Sequence, residues 1–175
     1  MRILGIDPGS RLAGYAILDI EPSVKAVAAG VWKLHSKPEL SARLSTLAIE
    51  FRRVVEAYHP THLAIELSFV ADNARTALIL GHSRGVVLSE AYQAGLKIFE
   101  ISATEVKKII TGHGRADKKL VSQMISSHLK IEFKKLSYDA SDAMAIAYAQ
   151  SIKMKQPLAT FSKATSWKDF KVAKV

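Results

Sequence analysis

The chain has 175 residues, 49% of them apolar, no cysteine and a formal charge of +9, a length that fits one domain burying roughly 70% of the surface its unfolded chain exposes. The missing cysteines exclude disulfides and thiolate metal sites and suit a reducing cytoplasm. The uncharged apolar stretches are too short for a membrane span, and Met1-Arg2 runs straight into Ile3-Leu4-Gly5-Ile6, which leaves no signal-peptide segment to read.

Three β-rich runs come first, residues 2–7, 12–20 and 25–34, with turns short enough for an antiparallel meander. Residues 39–58 place Leu40, Leu44, Leu47, Phe51 and Val54 at helical spacing, and Pro60 stops the pattern. A buried strand, His62 to Leu67, follows. Residues 73–94 read as a long helix whose apolar residues surround the axis, so it needs cover on more than one side. Gly81 and Gly85, one turn apart, admit a close backbone, which fits either a subunit interface or a helix central to one subunit. Leu96 to Ile101 is a fifth strand. Ser102 and Thr104 are cap candidates for a short helix that Gly112-His113-Gly114 breaks. Further helices are predicted over about 117–129 and 139–153, giving a domain over residues 1–155 and a basic tail over 156–175.

The fold class this predicts is α/β, with a five-stranded mixed sheet flanked by helices. The first strand is expected at the centre, parallel to the fourth, so that Asp7 and Glu66 emerge side by side at one sheet edge. Asp139 and Asp142, three apart, share a helix face. If that face covers the same edge, four carboxylates converge. Singly, each has a plainer reading: Asp7 as the opening of a Pro-Gly turn, and Asp139 and Asp142 as helix N-terminal acids. Glu66 stands in an otherwise apolar strand, where a bound cation is an attractive partner.

The excess positive charge is local. Residues 1–102 carry 11 Lys/Arg against 10 Asp/Glu, whereas residues 103–135 carry 8 against 3 and residues 151–175 carry 6 against 1. Basic blocks flanking an acid pair point to a polyanion such as a nucleic acid, although a solvated lysine face has the same composition.

Taken in order, Gly5-Ile6-Asp7-Pro8-Gly9-Ser10, Ala64-Ile65-Glu66-x-x-Phe69, Asn73-Ala74, Leu80-Gly81-x-x-Arg84-Gly85-Val86, Val106-Lys107, Gly112-x-Gly114-x-Ala116-x-Lys118 and Asp139-Ala140-Ser141-Asp142-Ala143 resemble RuvC-type Holliday-junction resolvases over roughly residues 1–152. The resemblance implies an RNase H-like fold and a homodimer that makes paired nicks in a four-way DNA junction with Mg²⁺ or Mn²⁺, two ions per site, alongside a branch-migration motor. It also implies that Asp7, Glu66, Asp139 and Asp142 bind metal and that Lys107 and Lys118 line the catalytic groove. Phe69 would be a base-contacting wedge. Arg115 and Lys119, a departure from the family pattern, add charge around the glycine loop that suits DNA. Two metals would supply an activated water and a stabilised leaving oxygen, and repulsion among the acids would raise some of their pKa values without metal. Leu67 and Ser68 after the glutamate, Ser141 in place of a more usual Ala, and the lysine-rich tail depart from the family pattern. A sugar-kinase-like ATPase would need a second lobe that 175 residues do not provide; an RNA nuclease or a non-catalytic junction binder would differ in substrate and in metal dependence.

Overall fold

The structure is a computed structural model and describes residues 1–34, 36, 39–67, 74–131 and 137–155. Five strands, β1 (Arg2–Asp7), β2 (Leu12–Asp19), β3 (Lys25–Lys33), β4 (His62–Leu67) and β5 (Lys97–Ser102), form one sheet in the order β3-β2-β1-β4-β5. The meander β1-β2-β3 is antiparallel, while β4 runs parallel to both β1 and β5. Five helices complete the described chain: α1 (Leu40–Tyr58), α2 (Ala74–Gln93), α3 (Ala103–Thr111), α4 (Lys118–Leu129) and α5 (Tyr138–Lys155).

Strand alternation sorts the core into two layers. Leu4 and Ile6 of β1 and Leu63 and Ile65 of β4 face one side, with Phe51 of α1 and Val87 of α2. Ile3 and Ala64 face the other, against α3, α4 and α5. Continuing that parity, Asp7 and Glu66 point to the α5 side, the outcome on which convergence of the acids depends.

Helix ends follow local chemistry. Ser102 caps α3 by accepting the Glu105 amide at 3.2 Å, and Gly112 closes it at φ 80°. Asp117 caps α4 by accepting the Leu120 amide at 2.7 Å. Thr104, the other cap candidate, lies within α3.

The helix buried on all sides is α5, whose run Ala143 to Ala147 is at most 4% exposed between the sheet and α3 and α4. On α2 only Ser83, Val87, Glu90 and Ala91 are buried, Leu78 is 66% exposed, and nothing stands within 4 Å of a Cβ placed on Gly81 or Gly85. The reading of residues 73–94 as a helix central to one subunit is therefore set aside; its outer face is uncovered in the monomer.

Candidate active site

Asp7 is the last residue of β1 and pairs across the antiparallel ladder with Gly14. Directly paired residues share a face, and on that face α5 lies almost on the backbone. A Cβ on Gly14 would sit 2.0 Å from the Asp139 carbonyl oxygen, and one on Gly5 would sit 2.3 Å from that of Ala143. Glycine at these two positions lets the first turns of α5 rest on β1 and β2, which brings Asp139 and Asp142 over Asp7. The turn after Asp7 is held from the opposite face, where Arg43 of α1 donates to the Ser10 carbonyl at 3.0 Å.

Glu66 arrives from the neighbouring strand. The β1–β4 ladder ends at the rung Ile6–Ile65, whereas the β4–β5 ladder continues through Glu66–Ile101 and Leu67–Ser102. Asp7, Glu66, Asp142, Lys107 and Lys118 line one pocket of about 210 Å³, walled by apolar side chains including Val106 and Ile146.

Burial dominates the electrostatics. It is the first cause of a rise in the Asp7 pKa to about 7 from its ordinary 3.8; the charges of Asp142, Glu66 and Asp139 push the same way, and Lys118 opposes them. Glu66 is also raised, first by burial and then by Asp142, against the pull of Lys118 and Lys107. Desolvation thus outranks the repulsion expected from sequence. Lys118 donates to an Asp142 oxygen at 3.0 Å with 71% of its side chain exposed, and this bond is the first cause of its raised pKa.

The donor set is all carboxylate oxygen, the chemistry of hard divalent cations. Burial first, and the neighbouring carboxylates second, hold the Asp7 and Glu66 pKa values up against the pull of the lysines; a cation would relieve both costs, so it fits the residues present. Among the described residues no three acids stand ready to share one ion as placed; Lys118 holds the Asp142 oxygen instead.

Asp139 lies outside the pocket lining, half-buried, and reaches the site through its effect on Asp7 and Lys118. Arg115 and Lys119 are exposed beside the site without lining it. Phe69 and the tail 156–175 lie outside the described residues.

Three supports were missed by sequence reasoning. The Ser137 hydroxyl accepts the Ala140 amide at 3.3 Å at the start of α5, a cap signal readable as Ser before an Ala-rich run. Ser141 donates to Ser122 of α4 at 2.7 Å, both buried, and Arg84 donates to the Glu66 carbonyl; neither long-range pairing leaves a local signal.

The sequence model for the family described as crossover junction endodeoxyribonuclease RuvC matches residues 3–150. The chain belongs to the RuvC family. Among RuvC relatives, that of Geobacter sulfurreducens is 40% identical over 161 residues, covering 90% of this chain and 98% of the relative. That of Stutzerimonas stutzeri is 44% identical over 146 residues, covering 83% of each. The solved Thermus thermophilus RuvC in complex with Holliday junction substrate superimposes with a TM-score of 0.81 at 25% identity, covering 88% of this chain and 94% of that one. The five-stranded, RNase H-like fold and the assignment as a metal-dependent endonuclease that resolves four-way DNA junctions in recombination and repair are those of the RuvC family.

Proposed function

We propose that this RuvC-family nuclease performs its hydrolysis in the pocket at the C-terminal ends of β1 and β4, with Asp7, Glu66, Asp139 and Asp142 holding divalent metal. The observation that carries this reading is the meeting of Asp7, Glu66 and Asp142 with Lys107 and Lys118 in one cleft, where Asp7 keeps a pKa of about 7. Oxygen-only ligands of this charge suit Mg²⁺, with Mn²⁺ as a substitute, and two ions per site would supply an activated water and stabilise the leaving oxygen.

The remaining roles rest on position for the cationic side chains and on the family resemblance for Phe69. Lys118 neutralises Asp142 in the free protein, and its exposure lets it exchange that partner for a phosphate oxygen. Lys107 stands on the Glu66 side of the same pocket and balances charge there. Exposed Arg115 and Lys119 bind flanking phosphates, and Phe69, two residues beyond β4, stacks on an unpaired base.

The uncovered face of α2, with Leu78, Gly81 and His82 around an apolar hollow, supports a homodimer presenting two sites to one junction. A branch-migration motor is the expected partner of such an enzyme, working in the cytoplasm; no helix among the described residues is long and apolar enough to cross a membrane.

The test uses labelled four-way DNA junction, linear duplex and structured RNA, each with and without Mg²⁺. Paired nicks confined to the junction and dependent on Mg²⁺ are expected. Metal-independent binding without cleavage would overturn the assignment of the acids.

A further inference from the structure

We propose that Arg84 of α2 is a positioning residue for Glu66, setting where the end of β4 holds this carboxylate and thereby how strongly the site takes up metal. The proposal rests on the reading of Glu66 as a metal-holding acid and goes beyond it by assigning a role to a side chain that is not in the pocket.

The end of β4 needs an anchor. Past Ile65 the strand has lost its rungs to β1 and is paired through β5 alone, yet the next residue is the one whose carboxylate enters the pocket. Arg84 meets this need. Its Nη1 donates to the Glu66 carbonyl oxygen at 2.6 Å, and its Nη2 pairs with the Glu100 carboxylate on β5. One guanidinium thus pins the main chain of Glu66 and the adjoining strand from the side of the sheet away from α5.

Arginine chemistry suits this double task. The planar, always charged fork presents donors in fixed directions, so satisfying Glu100 with one nitrogen aims the other. A lysine has a single ammonium on a flexible stem and does not reproduce that geometry. The Arg84 side chain is only 16% exposed, so it is not a surface cation waiting for phosphate. Its place on α2 also ties the Glu66 end of β4 to the helix whose opposite face is uncovered.

Displacing a carboxylate by a fraction of an ångström weakens an ion's ligand set without removing it. The predicted signature of Arg84→Ala and Arg84→Lys is therefore a higher Mg²⁺ requirement: about tenfold more Mg²⁺ for half-maximal single-turnover cleavage of a saturating junction, with much of the rate restored at high metal. Junction affinity measured without metal should stay within about twofold. Glu100→Gln, which removes the charge but leaves the carbonyl bond, should shift the Mg²⁺ midpoint less than Arg84→Ala.

The controls separate the outcomes. Glu66→Gln should abolish cleavage at every Mg²⁺ concentration; normal cleavage by that variant would sink the reading of Glu66, independently of Arg84. With Glu66 upheld, an unchanged Mg²⁺ midpoint in folded Arg84→Ala, or a loss of rate equal at all metal concentrations, would overturn the positioning role. Sedimentation of the same samples guards against assembly as the cause, since an Arg84→Ala protein that dissociates where wild type does not would equally overturn it.

Discussion

Asp7 sits half-buried beside three other carboxylates, and its raised pKa makes it a cost to the metal-free fold. In the unfolded chain the group ionises near 3.8, whereas in the fold it keeps its proton up to about 7. Stability from this group is therefore present at pH 4, falls as pH rises from 4 to 7, and stays lost above 7. The difference is on the order of a few kcal/mol. Asp7→Asn removes the ionisation at nearly constant shape, so metal-free variant and wild type should unfold in urea alike at about pH 3, below the unfolded pKa, with the variant the more stable at pH 8. The same variant should bind junction and not cleave it. Equal urea midpoints at pH 8 would show that Asp7 is not under this strain. At Gly14 the constraint is steric: an added Cβ meets main chain, which cannot swing aside. Gly14→Ala should cost about 1–3 kcal/mol and depress cleavage by lifting Asp139, both readable from urea unfolding and single-turnover rates. Wild-type stability would show that α5 moves off the sheet freely.

Among elements, the packing of α4 on α5 and the bare face of α2 differ in what the sequence revealed. Strand parity gives the shared face of Asp7 and Glu66, because alternation is a local property with period two. The three-residue spacing of Asp139 and Asp142 is local too, and the order of helices and strands follows from periodicity and turn residues. What parity does not contain is which helix lies on the sheet. Helix α2 has the more evenly apolar surroundings in sequence, yet the small residues of α5, opposed by Gly5 and Gly14, allow the closest approach and take the central place. Ser141 is explained in the same way. Buried at this position, its hydroxyl would be unsatisfied in the core but for Ser122 on α4, which accepts its bond. The pair lies one residue from Asp142 and four from Lys118, so it steadies the two helices that bear this ion pair. Ser122→Ala strands the Ser141 hydroxyl and should cost about 1–3 kcal/mol, whereas the double variant Ser122→Ala/Ser141→Ala should recover most of that loss. Additive losses in urea unfolding would refute the coupling. If the uncovered face of α2 carries the proposed dimer interface, Leu78→Lys, which places a charge there, should yield a folded monomer by sedimentation where wild type is a dimer; a variant as dimeric as wild type would move the interface elsewhere.

Across the whole molecule, the field of a +9 chain acts on any nucleic acid, and the question is which lysines do more than attract it. Lys118 and Lys119 are adjacent at the start of α4, but successive helical residues point about 100° apart, and only Lys118 lines the pocket and pairs with Asp142. Lys119 is exposed beside it. If Lys119 touches only backbone phosphate, Lys119→Ala should weaken binding to junction and duplex alike and reduce the salt slope by roughly 0.9 for each duplex phosphate it no longer neutralises. Lys118→Ala should instead lower single-turnover cleavage on the order of a hundredfold at saturating enzyme, with junction affinity nearly unchanged, because its charge is offered to the reacting phosphate rather than to the duplex as a whole. Lys107→Ala should follow Lys118 from the Glu66 side of the pocket. Saturation removes the binding contribution from the rate. A normal single-turnover rate for Lys118→Ala combined with a reduced salt slope would place Lys118 with Lys119 among the phosphate-binding lysines and leave the carboxylates to act without it.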